Sequence, residues 1–349
     1  MCQLKIINDK KIWNDFIINW DFEFYSFVNS WQWGEFQELE WNKTFRYWIY
    51  ENDNLIGEIQ LIKVEAKRWT YFFTPHWPLI KWDYFDVLEK ISTDLKEIAK
   101  ENWCSFIRLN PNISNTKENK IKYSKLNYID APMHIHAEDT HLLALWKTEE
   151  ELLKWMKSKD KYFINRARKE WVEIKIWNDE EHITTLIEYH RQHANRDNWK
   201  NKYHAFSEKY VRNLYKVFDE SEISTISASY NWFCESILMT IKFWKTCVYY
   251  IAASKIKSKK FSPNYLCQWE AIMKANNEWC SVYNFWGISP DDNPLHPISW
   301  VTKFKRKFWG YDYSLLHAQD MVVSNVYWLN WAIETFRRKK RWYYYKKPQ

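Results

Sequence analysis

The chain has 349 residues, 51 Lys and Arg against 44 Asp and Glu, and a formal net charge of +7, with room for two domains that each hold a core. Nowhere do about 18 apolar residues run together, and the start, MCQLKIINDKKIW, mixes charges among its apolar positions, so neither a membrane span nor a signal peptide is expected and the reading is cytoplasmic. The small positive excess suits an anionic partner such as RNA, a diphosphate or a membrane surface, and is equally common in proteins that bind none of these.

In chain order, YFFTPHWPLI (71–80) reads as a strand running into a turn, with the bulky Trp77 held between His76 and Pro78. Leu88, Ile91, Leu95 and Ile98 then recur at helical spacing, and the strand-like CSFIRL follows. His134 and His136 in MHIH point to one face of a predicted strand; no third ligand stands at a suggestive spacing, so no metal is expected. Thr148 and Glu151 form a capping-box pattern that opens one long basic helix through KSKDKYFINRARKE, and a new domain begins there. The strand VYYIAAS, a helix from Tyr265 to Glu278, the loop SPDDNPLHP (289–297) and a final helix from Ser324 to Arg341 complete the chain. The cysteines, Cys2, Cys104, Cys234, Cys247, Cys267 and Cys280, are scattered without a CxxC pair and read as reduced core thiols.

The composition is anomalous in one respect. The chain has 4 Gly and 25 Trp, whereas an ordinary chain of this length carries roughly 24 Gly at about 7%. Trp103 and Trp279 directly follow predicted helices, and Trp41 and Trp171 directly precede predicted strands, where a left-handed residue, usually Gly, closes a helix. These positions predict a gene in which UGA specifies glycine and is rendered here as tryptophan. UGA is expected at Trp77, Trp103, Trp171, Trp279, Trp300 and Trp309, and UGG at Trp31, Trp269 and Trp286. A Trp-rich protein that stacks on sugars or bases is the rival reading, but stacking aromatics cluster on one surface and do not recur where helices end.

Read with glycine at those positions, FVNSWQWGEFQ (27–37), TPHWPLI, FIRLNP (106–111), INRARKEWVEI (164–174), NYLCQWEAI (264–272), VYNFWGISP (282–290) and WVTKFKRKFWG (300–310) follow one another as in the FemABX family. The chain resembles these peptidoglycan interpeptide-bridge aminoacyltransferases along nearly its whole length, in the compact form without a coiled-coil arm. The resemblance implies an α/β fold of the α+β type, with two GNAT-like acyltransferase domains. The first would span 1–145 and be completed by 318–349; the second would span 146–317. Trp31, Trp33, Trp269 and Trp286 coincide with family aromatics, while Trp77 stands where the family's turn carries glycine.

The resemblance implies transfer of an amino acid from aminoacyl-tRNA to the stem-peptide amine of a peptidoglycan precursor, lipid II or UDP-MurNAc-pentapeptide, by a monomer with no cofactor and with peripheral contact at the inner membrane surface. An oxyanion must be stabilised as the amine attacks the ester, and Phe304 and Lys305 match the family's FK pair, whose lysine lies close to the reacting ester. Arg196 lies where the family has its diphosphate-binding arginine. The family's first-domain lysine is replaced by Gln37, which leaves Lys43 or a neighbour to supply that charge. Asn110 stands where aspartate is usual and cannot act as a base. Arg166, Arg168 and Lys169 are candidates to meet tRNA phosphates, although a solvated helix face explains them equally well. The rival functions are an N-acyltransferase using a coenzyme A thioester, against which stands the lack of a glycine-rich pyrophosphate turn, and a non-catalytic RNA- or precursor-binding protein of the same fold.

Overall fold

The computed structural model describes residues 2–20, 22–81, 84–195 and 205–340. It consists of two compact units, one made of residues up to Asp139 together with those from Tyr313, the other of Thr140–Asp312. The second unit begins ahead of the Thr148 capping box because the strand Asp139–Ala144 is built into its sheet.

In the first unit the strands Lys43–Glu51, Asn54–Glu65 and Thr70–Thr74 form an antiparallel meander. The helix Tyr84–Glu101 then crosses to Phe106–Leu109, which runs parallel to Thr70–Thr74. That helix forms because Val87, Leu88, Ile91, Leu95 and Ala99 make one buried stripe along it. Cys2–Ile6 flanks the meander, and Gln319–Val322 lies antiparallel on the far side of Phe106–Leu109, with Ile129–Asp130 beyond it. The second unit repeats this plan. Ile223–Tyr230, Phe233–Phe243 and Thr246–Ser254 form the meander, the helix Pro263–Asn277 crosses, and Val282–Gly287 runs parallel to Thr246–Ser254. Here the antiparallel flank is Asp139–Ala144. The core of this unit gathers Leu143, Leu238, Leu266, Trp269, Ile272 and Phe285.

The basic segment forms two helices, Glu149–Trp155 and Ser158–Lys169, and not one, because Met156 and Lys157 are extended and Met156 turns into the core. The capping box is present: Glu151 N–H donates to Thr148 Oγ1 at 3.3 Å, and Thr148 N–H donates to the Glu151 carboxylate at 2.8 Å.

Two groups stand out among the tryptophans. Nine of the fifteen non-glycine residues with positive φ among the described residues are Trp: 41, 103, 146, 171, 232, 244, 279, 286 and 309. Four of them close helices in the same way. Trp103 N–H donates to Lys100 O and Cys104 N–H to Ala99 O; Trp41 and Asn42, Trp171 and Val172, and Trp279 and Cys280 repeat the pair of bonds. This is the Schellman arrangement, in which the left-handed residue is usually Gly. The side chains of these four are 78–88% exposed, so their indoles gain nothing that offsets the strain of a β-carbon. Asn231 and Trp232, both at positive φ, form the two-residue turn of a hairpin, where Asn-Gly is the favoured pair. By contrast, Trp13, Trp33, Trp77 and Trp269 are fully packed. Trp77 and Trp300, both in the expected glycine set, differ from the left-handed tryptophans. Neither has positive φ, Trp77 is buried 5.3 Å from the Trp13 ring, and the left-handed residue of its turn is His76. Trp286, expected as a true aromatic, has φ 61° at a bulge between Val282–Gly287 and Asp139–Ala144.

A buried ion cluster ties the late part of the first unit to the early part. Arg108 donates to both carboxylate oxygens of Asp320 at 2.8 and 2.7 Å and also to Glu334, at 2.8 Å for the shorter bond, while the Tyr327 hydroxyl donates to Asp320 at 3.1 Å. Burial opposes the charge on Arg108, but the two carboxylates outweigh it and raise its pKa.

Two stability predictions follow from these contacts. Trp→Gly at 41, 103, 171 or 279 raises unfolding stability by about 1 kcal/mol each, whereas Trp269→Ala lowers it by about 3–5 kcal/mol; chemical denaturation of the single variants checks the opposite signs. Asp320→Ala leaves Arg108 underpaired in the interior and costs about 3–5 kcal/mol, read from the shift of the same denaturation midpoint.

Candidate functional site

The parallel pair of the second unit is in register only at Thr246–Val248 against Val282–Asn284. Beyond that, the ends Tyr249–Ser254 and Phe285–Gly287 do not pair with each other, and backbone groups there are released from the ladder. Lys305 enters this region from the helix Ser299–Lys305. Its Nζ donates to Gly287 O at 2.6 Å and stands 5.7 Å from the centre of the Tyr249 ring. The ammonium is buried, and burial alone lowers its pKa to about 7. The loop below it is fixed by Ser289 N–H donating to Thr302 Oγ1 at 2.8 Å, and Thr302 in turn donates to Ile298 O at 3.1 Å. Phe304 points the other way, into the core against Tyr265 and Phe308, with ring centres 5.4 and 5.2 Å away. Lys305 thus faces the opened strands, and Phe304 anchors the helix that carries it.

A second feature concerns the loop between Ser254 and Pro263, which opens the crossing helix. The buried carboxylate of Glu235 accepts from Lys257 N–H at 3.0 Å, Ser258 N–H at 2.9 Å and Ser258 Oγ at 2.5 Å. The amides of this loop are thus already held by a side chain of the protein.

The remaining sequence candidates are dispersed. Gln37 is half-buried on the helix Trp31–Leu39, where its side-chain oxygen accepts from Asn42 at 2.8 Å. Lys43 is exposed at the start of its strand. Three residues on, Arg46 is a buried cation that the sequence reading missed. It stacks 3.8 Å from the Trp31 ring centre and its Nε donates to Gln60 at 2.9 Å. Gly34 makes room for it, since a β-carbon there would lie 1.9 Å from Arg46 Nη2; the glycine of WQWGEFQ was the signal available in the sequence. Arg166 pairs with Glu170, and Arg168 with both Glu149 and Glu270 at 2.8 Å, while Lys169 is exposed. Arg168 therefore joins three helices of its unit. Asn110 is buried, receives Trp77 N–H on its carbonyl at 3.2 Å, and makes no side-chain hydrogen bond through Oδ1 among the described residues. Arg196 lies outside the described residues. The MHIH segment is not a strand, and its two imidazoles part. His136 packs on Trp33 and Phe73, whereas His134 turns to Glu138 and His317, partners that the sequence spacing concealed.

Residues 235–334 match the model of the FemAB family. No curated protein matches the sequence. Among solved structures, FemX aligns with a TM-score of 0.80 at 15% identity, covering 94% of this chain and 99% of its own. A tandem GNAT protein from the clavulanic acid biosynthesis pathway gives 0.55 at 7% identity, over 93% and 99% of the two chains. The L-PGS of Bacillus licheniformis gives 0.53 at 12% identity, over 88% and 91%. At these identities the structural matches speak for the fold, a mixed α/β arrangement shared with FemX and with GNAT proteins.

The depressed Lys305 pKa makes a signed prediction. Between its folded value of about 7 and its ordinary value of 10.5 the unfolded chain binds the extra proton, so stability rises with pH across that window and the burial penalty is fully present below it. The gain in melting temperature from Lys305→Met is accordingly larger at about pH 6 than at about pH 9.5. Equal gains at both would mean an ammonium with an ordinary pKa.

Proposed function

We propose that this chain, whose residues 235–334 match the FemAB family, is an aminoacyltransferase of that family that moves an amino acid from aminoacyl-tRNA to the stem-peptide amine of a peptidoglycan precursor, lipid II or UDP-MurNAc-pentapeptide. The observation that carries the reading is Lys305, a buried ammonium placed where two parallel strands stop pairing with each other. A neutral acceptor amine attacks the ester carbonyl, the carbonyl oxygen gains negative charge, and as the tetrahedral species collapses the attacking nitrogen gives up a proton that leaves on the ribose oxygen. An ammonium has three N–H donors; one is held by Gly287 O, and the others serve the developing oxyanion. Such a donor contributes to rate more than to affinity because its partner charge exists only in the transition state. Phe304 keeps the supporting helix seated, and Gln37, Lys43, Arg46 and Arg196 are the candidates for holding the precursor. Arg166, Arg168 and Lys169 remain candidates for tRNA phosphates, with Lys169 favoured over the two arginines because those are already paired.

The thioester alternative is disfavoured by Glu235, whose carboxylate fills the loop amides that would cradle a cofactor pyrophosphate. No helix among the described residues is long and apolar enough to cross a membrane, and peripheral contact with the membrane that carries a lipid-linked precursor belongs to the same proposal, as do a monomeric state and a cytoplasmic site of action. The reading extends to the gene. The left-handed tryptophans support UGA read as glycine, with UGA now expected at Trp41, Trp103, Trp171, Trp279, Trp286 and Trp309 and UGG at Trp77 and Trp269. The coding DNA tests this directly, and UGG throughout the first set would refute it.

For the reaction, single-turnover transfer from a panel of charged tRNAs to lipid II and to the soluble pentapeptide is the decisive measurement. Transfer to either acceptor is expected with at least one charged tRNA, and its absence with all of them, alongside intact binding, would favour a non-catalytic binding protein. Lys305→Met lowers turnover about a hundredfold or more with little change in precursor binding; unchanged turnover would return Lys305 to a structural role.

A further inference from the structure

Within the first unit, His134, Glu138 and His317 converge although His317 is far away in sequence. His317 Nδ1 lies 2.9 Å from Glu138 Oε2, and His134 Nδ1 lies 3.6 Å from the same oxygen. The ligand atoms of the three residues all fall within 4.8 Å of one another. We propose that these residues form a divalent-metal site, of the two-histidine, one-carboxylate type that suits Zn2+, with a fourth position left to solvent.

Three features of the geometry carry this. First, bonds of about 2.0–2.1 Å to a tetrahedral zinc hold its ligand atoms a little over 3 Å apart, which small side-chain rotations reach from the distances present. Second, the outer contacts that orient metal ligands are in place. His317 Nε2 donates to Ala131 O at 2.9 Å, which leaves Nδ1 as the atom turned to the cluster, and Glu138 Oε1 accepts Ala318 N–H at 2.8 Å, which leaves Oε2 for the ion. Third, the side chains are 11–28% exposed, so an ion can enter and keep a water. Two imidazoles and a carboxylate, without a thiolate, suit zinc and its neighbours better than the softer Cu(I) or the all-oxygen cations.

The position suggests what the ion would do. Glu138 lies just before the chain leaves the first unit, and His317 just after it returns at Tyr313. Leu315 N–H already donates to Glu138 O at 2.8 Å across this crossing. A metal bound here pins the departing and returning strands to each other, and since it binds the folded chain alone it stabilises by mass action.

The test uses the full-length chain, reduced and stripped with chelator, then titrated with Zn2+ and separately with Co2+. One equivalent should bind, raising the melting temperature, and the Co2+ form should show the visible absorption of a low-coordinate site without a thiolate charge-transfer band. His134→Ala and Glu138→Gln should each weaken Zn2+ by roughly a hundredfold. Glu138→Gln retains an oxygen for Ala318 N–H, so it reports metal loss even if the histidine variant folds poorly. No stoichiometric binding, binding that survives both substitutions, or a thiolate spectrum would each overturn the site, leaving His317 and Glu138 as an ion pair alone.

Discussion

The first unit depends on a single buried guanidinium. Arg108 sits on the short strand Phe106–Leu109, almost wholly out of water, and its compensating charges come from Asp320 and Glu334, more than two hundred residues later. An unpaired charge at this depth would be prohibitive, so the chain is obliged to return. The return brings Gln319–Val322 beside Phe106–Leu109 as the antiparallel neighbour of that strand and seats the helix Tyr327–Lys340 through Tyr327. The same return carries His317 to Glu138. Charge neutralisation, sheet completion and the proposed metal site are thus consequences of one chain crossing.

The two units solve the same packing problem in the same way, a meander, a crossing helix and a parallel strand, yet they take their last strand from opposite ends of their segments. The second unit is flanked by the strand that opens it, Asp139–Ala144, and the first by a strand from the C-terminal part of the chain. In the second unit the parallel pair separates after three residues, whereas in the first the pairing continues through Asn110. In the second unit Gly287 O is taken by Lys305. The loop amides nearby are taken by Glu235. In both places a charged side chain of the protein itself meets the backbone groups.

Much of this was legible in the sequence because it is local. The helix over 84–101, the capping box at Thr148 and the left-handed ends at Trp41, Trp103, Trp171 and Trp279 each depend on residues within one or two turns. The break between Trp155 and Ser158 was not legible, since nothing in the sequence marks Met156 as extended; its burial decides it. At Trp77 and Trp286 motif position and backbone conformation point in different directions. Motif position says which residue a turn usually holds, but only the backbone says whether φ is positive there, and His76 rather than Trp77 carries that burden. The site showed the same limit. Lys305 was found through its motif, whereas its burial, the opened strands that receive it, Arg46 beneath Trp31, and the pairing of His134 with His317 all depend on contacts remote in sequence.

The connectivity also sets an order in time. Nearly all of the second unit, Thr140–Asp312, and its edge strand Tyr311–Ser314 leave the ribosome before Gln319–Val322 does, so the unit that comes second in the chain can be finished first. Arg108 meanwhile waits for Asp320, 212 residues behind it, which at about 5–20 residues per second is roughly 10–40 s of synthesis. Throughout that interval Phe106–Leu109 presents an uncovered edge and an uncompensated charge. The charge that makes the finished unit hard to open also keeps the unfinished one from closing on the wrong strand, because an apolar partner that buried Arg108 without a carboxylate would pay its full desolvation. In the nascent chain, the residue that locks the fold serves first as its guard.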